Sequence, residues 1–131
     1  MKKFVLAIFT VFGLSNFASA QTEAETVNWL SNNIGRIDNV NCPTLQLFGD
    51  NFVIDNNGLK LYNEVESCSI KWNEIKDVKT TKDFIFVISE KEIKNKPVVL
   101  KFYINNQEDA IHFESGFKHL AELENDHFVK K

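Results

Sequence analysis

The sequence lacks the short motifs that accompany common enzyme chemistries. It contains no Gly-x-Ser-x-Gly elbow for a nucleophilic serine, no glycine-rich phosphate loop and no His-Glu-x-x-His zinc motif. Glycine itself is scarce, with only five residues in 131. Because a Ser/His/Asp triad assembles from distant positions, a hydrolase stays open as an alternative. The sequence nevertheless predicts a protein that is not an enzyme, with no catalytic residue and no cofactor to assign.

Basic residues are too few for a nucleic-acid-binding surface. The chain carries 15 Lys and Arg against 18 Asp and Glu, for a formal net charge of −3. Phosphate backbones are bound through clustered basic side chains, so we expect no nucleic-acid partner. The lysines of residues 90–97 alternate with Glu90 and Glu92, which favours a solvated loop over one that contacts an anionic surface.

One uncharged apolar stretch, residues 4–14, lies near the amino terminus. It follows Lys2 and Lys3 and precedes the small-residue site Ala18-Ser19-Ala20, and this is the pattern of a secretory signal peptide. Eleven apolar residues are too few to span a bilayer, and we expect no transmembrane segment. The sequence thus predicts a signal peptide over residues 1–20 and a single domain over 21–131. We expect export, to the periplasm of a Gram-negative bacterium or outside it.

Cysteine is limited to Cys42 and Cys68, which lack the Cys-x-x-Cys spacing of metal sites, so we predict no metal. Export would place both thiols in an oxidising space, where thiols tend to pair. A disulfide would stabilise the fold by about 3–4 kcal/mol in the chain-entropy model. The alternative is two buried free thiols.

The mature chain begins with a helix predicted over residues 23–34. Thr22 and Glu25 form a capping box, and three apolar residues at helical spacing make one face: Val27, Leu30 and Ile34. Gly35 suits the left-handed position that ends a helix.

Short runs with period-two alternation follow and predict strands. They include Leu45 with Leu47 and the ranges 51–56, 59–64, 68–72, 75–80, 84–88 and 98–104. Asn57-Gly58 fits a type I′ turn between the strands 51–56 and 59–64. The charged residues 90–97 predict an exposed loop.

A second helix is predicted over residues 107–124, with Asn106 as its N-cap. Its apolar stripe indicates a face that docks on a sheet: Ala110, Phe113, Phe117, Leu120 and Ala121. The opposite face carries His112 and His119, about 10.5 Å apart along the axis. Since one zinc ion does not easily reach both, this face is interpreted as solvated.

Three segments carry a family resemblance: the strand Ser69-Ile70-Lys71-Trp72-Asn73-Glu74-Ile75, the closing helix with Phe117-Lys118-His119-Leu120, and the pair Trp29-Leu30. Residues 23–124 resemble pleckstrin-homology-like domains, and more closely the small uncharacterised secreted bacterial proteins expected to have that fold. The resemblance implies an α+β fold. A bent antiparallel sheet or barrel of about seven strands follows an N-terminal helix and is capped by a C-terminal helix. It implies no activity. Asp50 and Asp55 stand where phosphoinositide-binding members carry basic clusters, so we expect no phosphoinositide partner.

Strands 84–88 and 98–104 are apolar on both faces. If Phe84, Phe86 and Ile88 point inward, an outer patch remains: Ile85, Val87, Val99 and Tyr103. Such a patch is covered by the first helix or binds a partner. We therefore expect an exported, non-catalytic binding module for a protein or peptide. The alternative is a carrier of a small apolar ligand or lipid inside the barrel, although Phe113 and Phe117 leave little room there. The partner's identity and the oligomeric state stay open.

Overall fold

The computed structural model describes residues 22–48 and 51–128. Along the chain, a first helix is followed by eight strands, which form two antiparallel sheets, and then by a second helix. The predicted signal peptide and Asp50 lie outside the described residues. The helices are α1 (Glu23–Asn32) and α2 (Gln107–Glu124). The strands are β1 (Asn39–Cys42), β2 (Leu47–Phe48), β3 (Asn51–Ile54), β4 (Gly58–Tyr62), β5 (Ser67–Lys71), β6 (Ile75–Thr80), β7 (Phe84–Ile93) and β8 (Lys96–Tyr103).

The strands form a five-stranded sheet in the order β2-β1-β8-β7-β6 and a three-stranded sheet in the order β3-β4-β5. The predicted α+β class is confirmed, but the sheets do not close into a barrel, so that prediction is wrong. The chain changes sheets at the 3₁₀ turn Trp72–Glu74, which separates β5 from β6. No strand was predicted between Gly35 and Leu45, but this segment contains β1, whose short Asn-Val-Asn-Cys alternation was missed.

The core lies between the sheets and α2. Phe102 of β8 meets Phe52 of β3 at 5.4 Å and Phe117 of α2 at 5.0 Å between ring centroids. Trp72 stacks on Phe117 at 6.5 Å. Phe113 and Phe117 are completely buried, which confirms the predicted docking stripe of the last helix. Aromatic pairs of this kind stabilise beyond the area they bury, so this cluster joins both sheets to α2.

The start of α1 agrees with the sequence prediction, but its end does not. The Thr22 hydroxyl accepts from the Glu25 amide, and the Glu25 carboxylate accepts from the Thr22 amide, which confirms the capping box. The helix then ends at Asn32 and passes into a 3₁₀ turn, Ile34–Arg36. Gly35 lies inside that turn without a left-handed conformation, so its prediction as the helix stop is wrong.

The predicted hairpin of β3 and β4 is present, but its turn is not type I′. Asp55 accepts hydrogen bonds from the amides of Asn57 and Gly58, and Asn57 does not have the positive φ that a type I′ turn requires. Consecutive left-handed residues occur instead at Lys94 and Asn95, with φ of 53° and 67°. They join β7 to β8 inside the stretch predicted as a loop, and both strands extend further than expected.

Both ends of α2 are fixed by asparagines. The Asn106 side chain accepts from the Asp109 amide, which confirms the predicted N-cap. Asn125, 6% exposed, donates to the Ile75 carbonyl at 2.7 Å and to the Glu90 carboxylate at 2.8 Å. The carboxyl end of α2 is therefore attached to β6 and β7.

Candidate functional site

Side chains on β7 and β8 alternate between the core and the outer surface of the five-stranded sheet. In an antiparallel pair, residues directly opposite each other share a face. Ile85 pairs with Phe102 and Val87 pairs with Leu100, and all four are buried. Ile85 and Val87 therefore point into the core, and their assignment to an outer patch is wrong. Val99 and Tyr103 are half-buried and lie on the outer side.

The orientation of β7 is decided by its register with β8. Residues 84–88 are all apolar, so their periodicity alone does not distinguish inside from outside. In the structure Phe86 pairs with Lys101, and Phe84 pairs with Tyr103. A lysine is expected on a solvated face, since burial of an unpaired ammonium is costly. Lys101 was thus the available signal that Phe84 and Phe86 face outward.

We define the outer aromatic face as six half-buried residues of β7 and β8: Phe84, Phe86, Ile88, Val99, Lys101 and Tyr103. The Lys101 Nζ atom lies 4.1 Å from the ring centroid of Phe84 and 5.9 Å from that of Phe86. Phe84 also lies 5.9 Å from Tyr103 and 6.1 Å from Phe86. The aromatic rings attract the ammonium and hold it at the centre of the face.

One row of side chains crosses the five-stranded sheet through this face. The strand register sets Lys101 beside Asn41 on one side and Phe86 on the other. The row ends at Phe48 of β2, which is 72% exposed, and at the exposed Lys79 of β6. A polar and aromatic surface with lysines thus extends beyond the outer aromatic face.

The local charge of this surface differs from that of the whole chain. Lys79 and Lys101 stand on the row, and Asp77 pairs with Ile88 at one corner, where it is 9% exposed. The chain as a whole carries −3. The surface therefore offers accessible positive charge on an acidic protein.

Both helices pack away from the outer aromatic face. α1 lies against α2 and β3, and Trp29 meets Phe113 of α2 at 5.3 Å. Val27 and Leu30 are buried there. The predicted cover of the outer patch by α1 is therefore wrong. α2 lies over β6, β7 and the Trp72–Glu74 turn, with its aromatic stripe in the core.

The two cysteines lie on different sheets and meet in the core. Cys42 of β1 and Cys68 of β5 are 0% and 2% exposed and are present as free thiols. Hydrogen bonding from the Cys68 thiol lowers the pKa of Cys42 to about 6 against the opposing effect of burial. It raises the pKa of Cys68, as does burial, because Cys68 keeps the proton.

Other parts of the described surface offer less organised chemistry. Clefts of about 260 and 290 Å³ flank the region of α1, and the first one includes Asp55, whose carboxylate already closes the β3–β4 turn. The His112 ring lies 5.1 Å from the Trp29 ring between centroids, tilted by 48°. Over residues 22–48 and 51–128, no group of three or more His, Cys, Asp or Glu side chains is placed to hold a metal ion.

No protein-family model matches the chain, and neither a curated protein nor a solved structure is significantly similar to it. Among the described residues, neither helix combines the length and apolar character needed to cross a membrane.

Proposed function

We propose that this protein is a non-catalytic binding module that docks a protein or peptide on its outer aromatic face. The observation that carries this proposal is the half-buried Lys101, whose ammonium lies over the outward-facing rings of Phe84 and Phe86. A sheet face that packs only for stability needs neither partly exposed rings nor a central charge. Apolar patches that stay partly accessible commonly mark interaction sites.

The charges on the face select the chemistry of the partner. Lys79 and Lys101 flank Phe86 on one row. A partner with carboxylates on either side of an apolar side chain would therefore pair its charges with the lysines and pack its apolar group on Phe86. The acidic balance of the whole chain opposes a polyanion such as nucleic acid, which would meet repulsion outside this face. We therefore propose an acidic polypeptide segment as the occupant.

The packed interior favours this function over ligand carriage. Phe102, Phe113 and Phe117 are completely buried, and Phe117 contacts each of the other two between the sheets and α2. A carrier of a lipid or small apolar molecule needs a cavity in that place.

We also propose that the domain is a pleckstrin-homology-like fold whose two sheets remain unclosed. The closing helix with its Phe113/Phe117 stripe and the antiparallel meander support this. Export is part of the proposal, supported by the tripartite pattern of residues 1–20. Mass analysis of protein recovered from an expressing bacterium should find Gln21 as the first residue. A mature chain that retains residues 1–20 would contradict export.

The binding proposal is tested by titration with two synthetic peptides while backbone amide resonances are followed by NMR. The first peptide alternates Glu with Leu and Phe, and the second replaces each Glu by Lys. We expect saturable shifts from the acidic peptide that centre on Phe84, Phe86 and Lys101. The basic peptide should produce none, and Lys101→Glu should weaken acidic-peptide binding about tenfold or more.

Lys60→Glu is the matched control. Lys60 also lies over an aromatic ring on an outward sheet face, 5.3 Å from the Tyr62 centroid, but on the three-stranded sheet. This variant should bind the acidic peptide as the natural protein does. Equal binding of both peptides, or equal losses in both variants, would overturn the proposal.

A further inference from the structure

Cys42 and Cys68 belong to two sheets that share no strand pairing in the part of the chain that the structure describes. Cys42 belongs to β1 in the five-stranded sheet, and Cys68 belongs to β5 at one edge of the three-stranded sheet. β1 packs against β4, and Cys68 lies opposite Leu61 of β4 in the ladder. Both thiols are buried in the same hydrophobic core, and the ionisation of each depends on the other.

Contacts next to Cys42 and Cys68 hold strands β1 and β5 in place. Cys42 pairs with Leu47, which is 2% exposed, so β1 is held on its outer side by β2. On the other strand, the Lys91 ammonium donates to the Ser69 carbonyl at 2.6 Å and connects β7 to β5 next to Cys68. The contact between the thiols is therefore part of an ordered junction between the sheets.

We propose that Cys42 and Cys68 form a disulfide that covalently connects the two sheets. The bond would close a loop of about 25 residues that contains β2, β3 and β4, and closing such a loop restricts the unfolded chain. The inference does not depend on which partner the outer aromatic face binds. It requires an oxidant of the disulfide-donor class, which exported compartments provide.

The chemistry is ordinary thiol–disulfide exchange. The Cys42 thiolate attacks one sulfur of the donor disulfide, whose S–S bond breaks and releases one donor thiolate. The Cys68 thiol then gives up its proton, and its sulfur attacks the Cys42 sulfur of the mixed disulfide. The second donor sulfur leaves as a thiolate. The two cysteines lose two electrons and two protons, and the donor disulfide becomes two thiols.

Peptide mapping of the full exported protein tests the bond directly. After alkylation under denaturing conditions, trypsin cuts after Arg36, Lys60 and Lys71, so Cys42 and Cys68 fall on separate peptides, residues 37–60 and 61–71. We expect these peptides to be linked without reductant and separate with it. Incubation with oxidised glutathione should bring reduced protein to the same linked form. Alkylation of both cysteines after that incubation would overturn the proposal.

Thermal unfolding tests whether the disulfide between the sheets stabilises the folded protein. Reduction should lower the unfolding midpoint of the natural protein by about 10 °C. In the Cys42→Ala, Cys68→Ala double variant, reduction should produce no shift. An oxidised natural protein whose midpoint is unchanged by reduction would contradict the proposed stabilising role. Should the double variant fail to fold, the comparison of oxidised and reduced natural protein still decides the matter.

Discussion

Gly58 shows how one residue without a side chain sets the start of β4. Its φ of 152° is rarely adopted by other residues, and a Cβ atom there would come within 2.7 Å of the Lys71 Cα on the adjacent strand. Backbone atoms of a paired strand do not move aside at low cost. The position therefore requires glycine for both conformation and space.

Gly58→Ala is expected to destabilise the protein by about 2 kcal/mol or more, because it adds backbone strain to a steric clash with β5. Urea unfolding measures the change. Gly35→Ala is the control, since nothing lies within 4 Å of a Cβ placed there. The control should be neutral or slightly stabilising, and a similar loss in both variants would contradict this account.

At the scale of the element, β7 is the strand whose orientation determines the candidate site. Its inward residues pair with the inward residues of β8, and its outward residues pair with Tyr103, Lys101 and Val99. The result is an aromatic surface on one side and a completely buried row on the other.

Truncation should cost more stability on the inward face of β7 than on its outward face. Val87→Ala should cost about 2 kcal/mol, because Val87 is 0% exposed and its removal leaves a cavity. Phe86→Ala removes more atoms but should cost less than about 1 kcal/mol, since Phe86 is only half-buried. Chemical denaturation of both variants measures this order. A larger loss for Phe86→Ala would mean that β7 is turned the other way.

The contact between the two helices places like charges together. Glu124, at the end of α2, hydrogen-bonds to Glu23 at the start of α1 and repels its charge, and together with burial this raises the pKa of Glu23 above 4.5. A raised carboxyl pKa means that folding is favoured while Glu23 is protonated. This stability is lost as the pH rises from 4.5 through the raised pKa.

Glu124→Gln should therefore raise stability at pH 7 by a few tenths of a kcal/mol, because both groups are near the surface. Loss of a negative charge at the carboxyl end of a helix acts in the same direction. The gain should shrink as the pH falls through the raised pKa of Glu23, where this carboxylate takes up a proton. Thermal unfolding against pH measures it, with Glu122→Gln as the control. A gain that persists unchanged in acid would rule out this repulsion as the cause.

At the scale of the whole molecule, one aromatic cluster connects both sheets and α2. Phe102 contacts Phe52 across the sheets and Phe117 on the helix, and it is completely buried. Within residues 22–48 and 51–128 the two sheets share no ladder, so side-chain packing rather than backbone pairing holds them together there.

Phe102→Ala should cost about 3–5 kcal/mol and should leave a single cooperative transition, since every layer loses the same contact. Calorimetry and urea unfolding followed by circular dichroism would measure both. Val99→Ala is the control. Val99 lies on the same strand but on the outer face, where it pairs with Ile88, so its truncation should cost far less stability. Two separate transitions in the natural protein would contradict a shared core.

Features that depend on neighbouring residues in the chain followed from the sequence. The capping box of Thr22 and Glu25, the N-cap Asn106 and the bounds of α2 were predicted as observed, because helix ends are satisfied by residues three or four positions away. Gly35 and Asn57-Gly58 were misread, since turn residues are compatible with several conformations. Asp55, through its side chain, selected the actual β3–β4 turn.

The candidate site required tertiary information. Composition and local spacing were enough to indicate that β7 and β8 are strongly apolar, that Phe113 and Phe117 face a sheet, and that positive charge is scarce. The contacts of the folded chain were needed to show that Phe84 and Phe86 point outward around Lys101, that the sheets stay unclosed, and that Cys42 and Cys68 share one core. Strand register and sheet packing are set by contacts between residues far apart in the chain, which local sequence patterns do not contain.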